Sequence, residues 1–308
     1  MTKLSAKSLT QFKFLNRPVY GNHRFVEKVR QIEIKTRGLS RNIFAGQYHT
    51  AFKGRGMAFS EVREYQFGDD IRNIDWNVTA RLNTPFVKVY EEERELTVML
   101  LVDVSASRQF GTDTRLKQDL VTEIAATLAF SAIQNNDKIG LIFFSDRIEK
   151  FIPPQKGKKH ILYLIRELLG FQPMHNGTDV SEALRYMTNA IKKRCTAFVI
   201  SDFLDIKDFK TDLTIANRKH DVVALQVYDR REAVLPNVGL LRVKDAETQE
   251  EILVDASSKR LRQQYAAWWH NHQEHLSDVF KKSKVDYVSI ATDEDYVRSL
   301  MALFNLRN

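Results

Sequence analysis

The chain has 308 residues, 43% of them apolar and 28% charged, and 47 Lys and Arg against 39 Asp and Glu give a net charge of +8. That length allows two domains, or one large domain with an appendage, and the composition suits a packed core and excludes a disordered chain. A single cysteine, Cys195, excludes an intrachain disulfide, and no apolar run reaches the roughly 18 to 20 residues that span a bilayer.

Residues 1–95 lack a regular alternation of strands and helices. A helix is expected over 24–35, with Phe25, Val29 and Ile32 on one side, followed by a glycine-punctuated stretch. Residues 86–90 alternate apolar and polar side chains, as a half-buried strand does. This region reads as a small β-rich N-terminal subdomain.

At Leu96 the pattern changes. The stretch LTVMLLVDVSAS has six apolar residues among its first seven, which suits a strand covered on both faces, as in a parallel sheet. A helix is predicted over 114–134, with Leu116, Leu120, Ile124 and Leu128 at fourfold spacing. A strand over 139–144 follows, then an edge strand over 147–152 stopped by Pro153 and Pro154. Helices over 158–169, 180–193 and 209–219 alternate with strands over 196–201 and 222–227. A hairpin insertion near 239–255, a helix over 258–282, a strand over 285–290 and a helix over 293–304 close the series. The reading is an α/β fold with a mainly parallel sheet flanked by helices, residues 96–308 forming one domain behind an N-terminal region of 1–95.

Asp103, Ser105 and Ser107 stand where the first strand of that domain ends. Open α/β sheets bind ligands outside the carboxyl ends of their strands. Thr178 in HNGTDV and Asp202 in VISDFLD stand at similar places, so the topology can bring all five to one edge. Oxygen donors without His or Cys suit Mg²⁺ or Mn²⁺ and not Zn²⁺. The same residue types also cap helices, and that alternative stays open on spacing alone.

Asp103, Ser105, Ser107, Thr178 and Asp202 resemble the metal-ion-dependent adhesion site (MIDAS) of a von Willebrand factor type A domain. The resemblance implies a von Willebrand factor A-like, Rossmann-like sheet. It also implies that the acids act through water, that the hydroxyls hold the ion, and that a partner protein's Asp or Glu completes its shell. Upstream, GDDIRNIDW resembles the block of the bacterial family catalogued as domain of unknown function 58. That likeness runs from about Phe44 to the end; Ala58 and Arg108 depart from the family's pattern. It implies work alongside a MoxR-type AAA+ ATPase in complex maturation or chaperone-like remodelling. Within the block, Arg63, Arg72 and Arg81 have acidic neighbours to pair with in Glu64, Asp69, Asp70 and Asp75.

The function expected is therefore a non-enzymatic, metal-dependent protein-binding adaptor with no catalytic residues. A Mg²⁺-dependent hydrolase of phosphate esters is the alternative, but no second acid follows Asp103 at a catalytic spacing. Asp205 and Asp179 read as a helix cap and a first-turn acid. His270, His272 and His275 lie on one helix with poorly matched faces, and read as surface or packing residues. Short basic runs at 156–159 and 192–194 flank helices, so nucleic acid is not expected as a partner. The basic start without a secretory pattern points to the cytoplasm, and the positive charge permits peripheral contact with a membrane surface.

Overall fold

The computed structural model describes residues 57–92, 96–109, 111–112, 115–205, 207–244 and 251–307, together with Gln31 and Ala51. The helix expected over 24–35 lies outside the described residues, Gln31 apart. Chain contacts define two units, one of them Phe52–Leu96 and the other taking in Thr97–Asn308.

In the smaller unit β1 (Met57–Glu64) pairs antiparallel with β2 (Phe86–Glu92), with an irregularity between Phe59 and Glu61. The acidic block between them is held by its own aspartates. Asp69 accepts both terminal guanidinium nitrogens of Arg63, at 2.8 and 2.7 Å, and the Gln66 amide at 2.8 Å. Asp70 accepts the Arg72 amide at 3.0 Å and pairs with its guanidinium at 2.8 Å. Asp75 caps α1 (Trp76–Leu82), accepting from the amides of Asn77 and Val78 at 3.0 and 3.3 Å. Amides at the start of a turn or helix have no partner within it, and these carboxylates supply one. Arg63 and Arg72 thus pair as expected; among the described residues Arg81 forms no ion pair.

The larger unit is built on β3 (Thr97–Asp103), whose Val98, Met99, Leu100 and Leu101 are fully buried. Arg115 and Leu116 pair with Gly111 and Thr112, so α2 (Lys117–Gln134) begins later than the sequence pattern suggests. Strand β4 (Lys138–Phe144) lies parallel to β3, and β5 (Ile148–Gln155) lies antiparallel to β4. Pro153 and Pro154 do not end β5. As an edge strand it pairs on one side only, and its ladder skips both prolines between Ile152 and Gln155. That irregularity presses on Gly140, where a Cβ would lie 2.9 Å from the Ile152 oxygen and the Pro154 nitrogen.

Then come α3 (Lys158–Gly170), α4 (Val180–Ala190), β6 (Thr196–Ser201), α5 (Lys210–Lys219), β7 (Asp221–Tyr228) and the single turn α6 (Arg230–Ala233). Strands β8 (Leu240–Lys244) and β9 (Glu251–Asp255) form the expected hairpin. Helix α7 (Lys259–Lys282), β10 (Asp286–Ala291) and α8 (Tyr296–Asn305) complete the chain. The six-stranded sheet runs β10-β7-β6-β3-β4-β5, parallel except at β5. This is the mainly parallel α/β sheet flanked by helices that the sequence pattern predicts.

Candidate metal centre

Strand order reverses at β3. The chain leaves it for β4 on one side and later returns to β6 on the other, which opens a crevice at the carboxyl ends of β3 and β6. Parallel register sets Val102 beside Ile200, so Asp103 and Ser201 end their strands level with each other.

Asp103 is buried, and both of its oxygens accept hydrogen bonds: Oδ1 from the Ser105 amide at 2.8 Å, Oδ2 from the Ser201 hydroxyl at 2.6 Å. Ser105 Oγ lies 3.0 Å from Ser107 Oγ. Asp202 accepts the Leu204 amide at 3.2 Å, and the nearby Ser107 hydroxyl favours its charged form. Asp103, Ser107, Ser201 and Asp202 line one small crevice, with Lys117, Val121, Ile200 and Val227 as the rest of its wall. Burial, and then the nearby charge of Asp202, raise the Asp103 pKa to about 6. Asp202 behaves otherwise: burial works against its charge, but Lys117 outweighs that and holds its pKa below the usual range.

Thr178 sits on a separate loop that is tied to the same end of the sheet. Ala106 N–H donates to the Asn176 carbonyl at 3.1 Å, and Asp179 N–H to the Ser145 carbonyl at 2.8 Å. Glu149 of β5 accepts from the Met174 amide, the His175 amide and the Ser145 hydroxyl at 3.2, 3.0 and 2.9 Å. No hydrogen bond joins the Thr178 side chain to the other four residues among the described contacts.

Asp179 is a helix cap where a first-turn acid is expected, and Asp205 caps no helix of its own but ties two segments together. Asp179 is the N-cap of α4, accepting the Glu182 amide at 2.9 Å. Asp205 accepts the Val180 amide at 2.9 Å from the loop after β6, binding that loop to the start of α4. In α7, His270 is exposed beside Glu274 at 3.3 Å, while His272 stacks on Trp268 at 5.4 Å. Among the described residues no three His, Cys, Asp or Glu side chains are grouped to hold a metal.

The oxygens present suit a small hard cation. Neighbouring oxygens in an octahedral Mg²⁺ shell with bonds of about 2.1 Å are about 3.0 Å apart. The two serine hydroxyls already stand at that spacing. Two residues of this crevice, Lys117 and Ser201, escaped sequence reasoning, as did Glu232, which pairs with Lys117. Lys117 had a signal. A lysine opening a helix as apolar as the stretch 117–134 needs a buried acid, and its Nζ donates to Asp202 at 2.9 Å and to Glu232 at 2.6 Å. Glu232 had one too, in the D-x-x-E spacing of a capping box begun by Asp229.

Residues 61–275 match the family model described as "Protein of unknown function DUF58". An uncharacterised protein of Mycobacterium tuberculosis is 28% identical over 277 residues, covering 89% of this chain and 86% of its own. Among solved structures, the conserved hypothetical protein BatB of Bacteroides thetaiotaomicron is 16% identical, covers 69% of this chain and 98% of its own, and superposes with a TM-score of 0.45. Proximal thread matrix protein 1 of the mussel byssus, described with a zinc-occupied MIDAS motif, is 14% identical over 43% of this chain and 38% of its own, with a TM-score of 0.36.

Proposed function

The chain belongs to the DUF58 family, and from that premise we propose that it is a non-enzymatic, metal-dependent protein-binding adaptor. Its site consists of Asp103, Ser105, Ser107, Thr178 and Asp202. One observation carries the reading: the hydroxyls of Ser105 and Ser107 stand 3.0 Å apart between two buried carboxylates, at the switch point of the sheet.

When bound, Mg²⁺ or Mn²⁺ supplies an electrophilic centre with a position open to an outside carboxylate. Ser105, Ser107 and Thr178 hold it through their hydroxyls. Asp103 and Asp202, whose oxygens already accept from Ser105, Ser201, Leu204 and Lys117, act through water. The acids then leave much of the ion's charge for a partner's Asp or Glu.

The region 1–95 offers a second contact surface for a partner. Its aspartates Asp69, Asp70 and Asp75 are engaged in capping and ion pairs within the smaller unit. The partner proposed is a MoxR-type AAA+ ATPase, and the setting the cytoplasm. No helix among the described residues is long and apolar enough to cross a membrane.

Calorimetry with Mg²⁺ and Mn²⁺ tests the site. Wild type binds, and Asp103→Ala binds at least about tenfold more weakly, the loss of one water-bridged charge. Equal binding by both proteins would sink the reading. Affinity capture with and without EDTA then recovers an AAA+ ATPase only when metal is present. Turnover of phosphate esters that vanishes in Asp103→Ala would favour the hydrolase instead.

A further inference from the structure

The crevice holds a cation of its own. Lys117 opens α2, and its side chain is 2% exposed, with Nζ 2.9 Å from Asp202 Oδ2 and 2.6 Å from Glu232 Oε1. Glu232 is fixed in turn. Its Oε2 accepts the Asp229 amide at 2.9 Å, and its carbonyl accepts the Tyr265 hydroxyl at 2.5 Å. Asp229 itself accepts the Thr292 hydroxyl at 2.7 Å. Both oxygens of Glu232 thus accept from donors, which is the arrangement of a carboxylate. The ammonium cannot withdraw without leaving buried acids unpaired.

We propose that Lys117 is the built-in counter-charge of the metal site, weakening its hold on the ion and strengthening the loaded site's hold on a partner's carboxylate. The inference rests on the metal reading above. Asp103, Asp202 and Glu232 with Lys117 give the buried cluster a net charge of −2. A divalent ion brings that cluster to neutrality, and an incoming carboxylate meets no net repulsion. Without the ammonium the acids hold the ion more tightly, yet the loaded site stays negative and opposes the carboxylate. Like charges within about 6 Å in a buried setting matter at this level. Glu232 bonds to none of the five site residues in the described contacts, so it acts on the ion through charge.

The test measures Mn²⁺ binding by the full chain at pH 7.5, from the electron paramagnetic resonance of the free ion. Lys117→Met binds Mn²⁺ at least about tenfold tighter than wild type, and Glu232→Gln at least about tenfold weaker. The double variant Lys117→Met/Glu232→Gln restores the net charge and returns to within about threefold of wild type. Acetate, used as the probe carboxylate at saturating Mn²⁺, follows the opposite order, binding Glu232→Gln best and Lys117→Met worst. A merely structural lysine gives loss of Mn²⁺ binding in place of gain.

Should Lys117→Met fail to melt cooperatively, Glu232→Gln and the double variant carry the same comparison. Folded variants whose Mn²⁺ affinities match wild type overturn the role of Lys117 and leave the site intact. Wild type binding no better than Asp103→Ala overturns the metal reading, and this inference with it.

Discussion

His220 is fully buried, and its Nδ1 accepts the Cys195 amide at 3.3 Å with the Cys195 sulfur at 3.2 Å. Burial, helped by the charges of Lys219 and Arg194, pushes its pKa down to about 4. The unfolded chain, titrating near 6.5, takes up a proton that the folded chain refuses. Stability therefore falls as pH drops from about 6.5 to about 4 and levels below that. Asp103 has the opposite sign. Its pKa is raised to about 6, so the folded chain takes its proton first and gains stability as pH drops through that value. Comparing wild type with His220→Asn separates the two effects, because the amide oxygen can still accept from Cys195 but does not titrate. Urea unfolding across that window is expected to show the variant gaining up to about 3 kcal/mol on wild type as pH falls. Parallel curves would mean that His220 has no such penalty. The acids that Lys117 pairs with were not legible in isolation. The apolar helix that Lys117 opens signals a buried acid, but only the register of β3 and β6 together with the turn after β7 reveals which acids it faces.

Elements with a strong period were legible nearly to the residue. The strand over 196–201 is β6, bounded by Lys193–Arg194 on one side and an acid on the other. The misread elements are those where a partner decides. β5 continues through Pro153 and Pro154 because one of its edges needs no ladder, and α2 starts late because a two-residue pairing takes up Arg115 and Leu116. The loop that carries Thr178 has no period at all, and its position depends on Glu149, whose side chain is 2% exposed. Burial raises the Glu149 pKa, but donors from Ser145, Met174 and His175 outweigh it and hold the carboxylate ionised. Replacing Glu149 with Ala leaves those loop amides without their acceptor, at a cost of about 1–3 kcal/mol in local opening. Hydrogen exchange over 174–179 should then quicken about 5- to 150-fold, with Glu149→Gln intermediate. Unchanged exchange would show that other contacts fix the loop.

At the scale of the whole chain, what the sequence made visible was the repeating strand and helix pattern that carries residues 103 and 202 to one end of a sheet. Asp103 ends one strand and Asp202 directly follows its neighbour, so a rule about strand order was enough to pair them. The loop of Thr178 is placed by a bond from the Ala106 amide and by bonds to the Ser145 carbonyl and the Glu149 carboxylate, which no local pattern encodes. The block around Asp69, Asp70 and Asp75 has its own explanation in capping and ion pairs within the smaller unit. The account as a whole depends on an ion seated between the serines. Anomalous diffraction from crystals of the full chain grown with Mn²⁺ tests that most directly. One peak within coordination distance of Ser105, Ser107 and Thr178, absent from Asp103→Ala crystals, is the predicted result; density with no peak there, or a peak only beside His272, would contradict it.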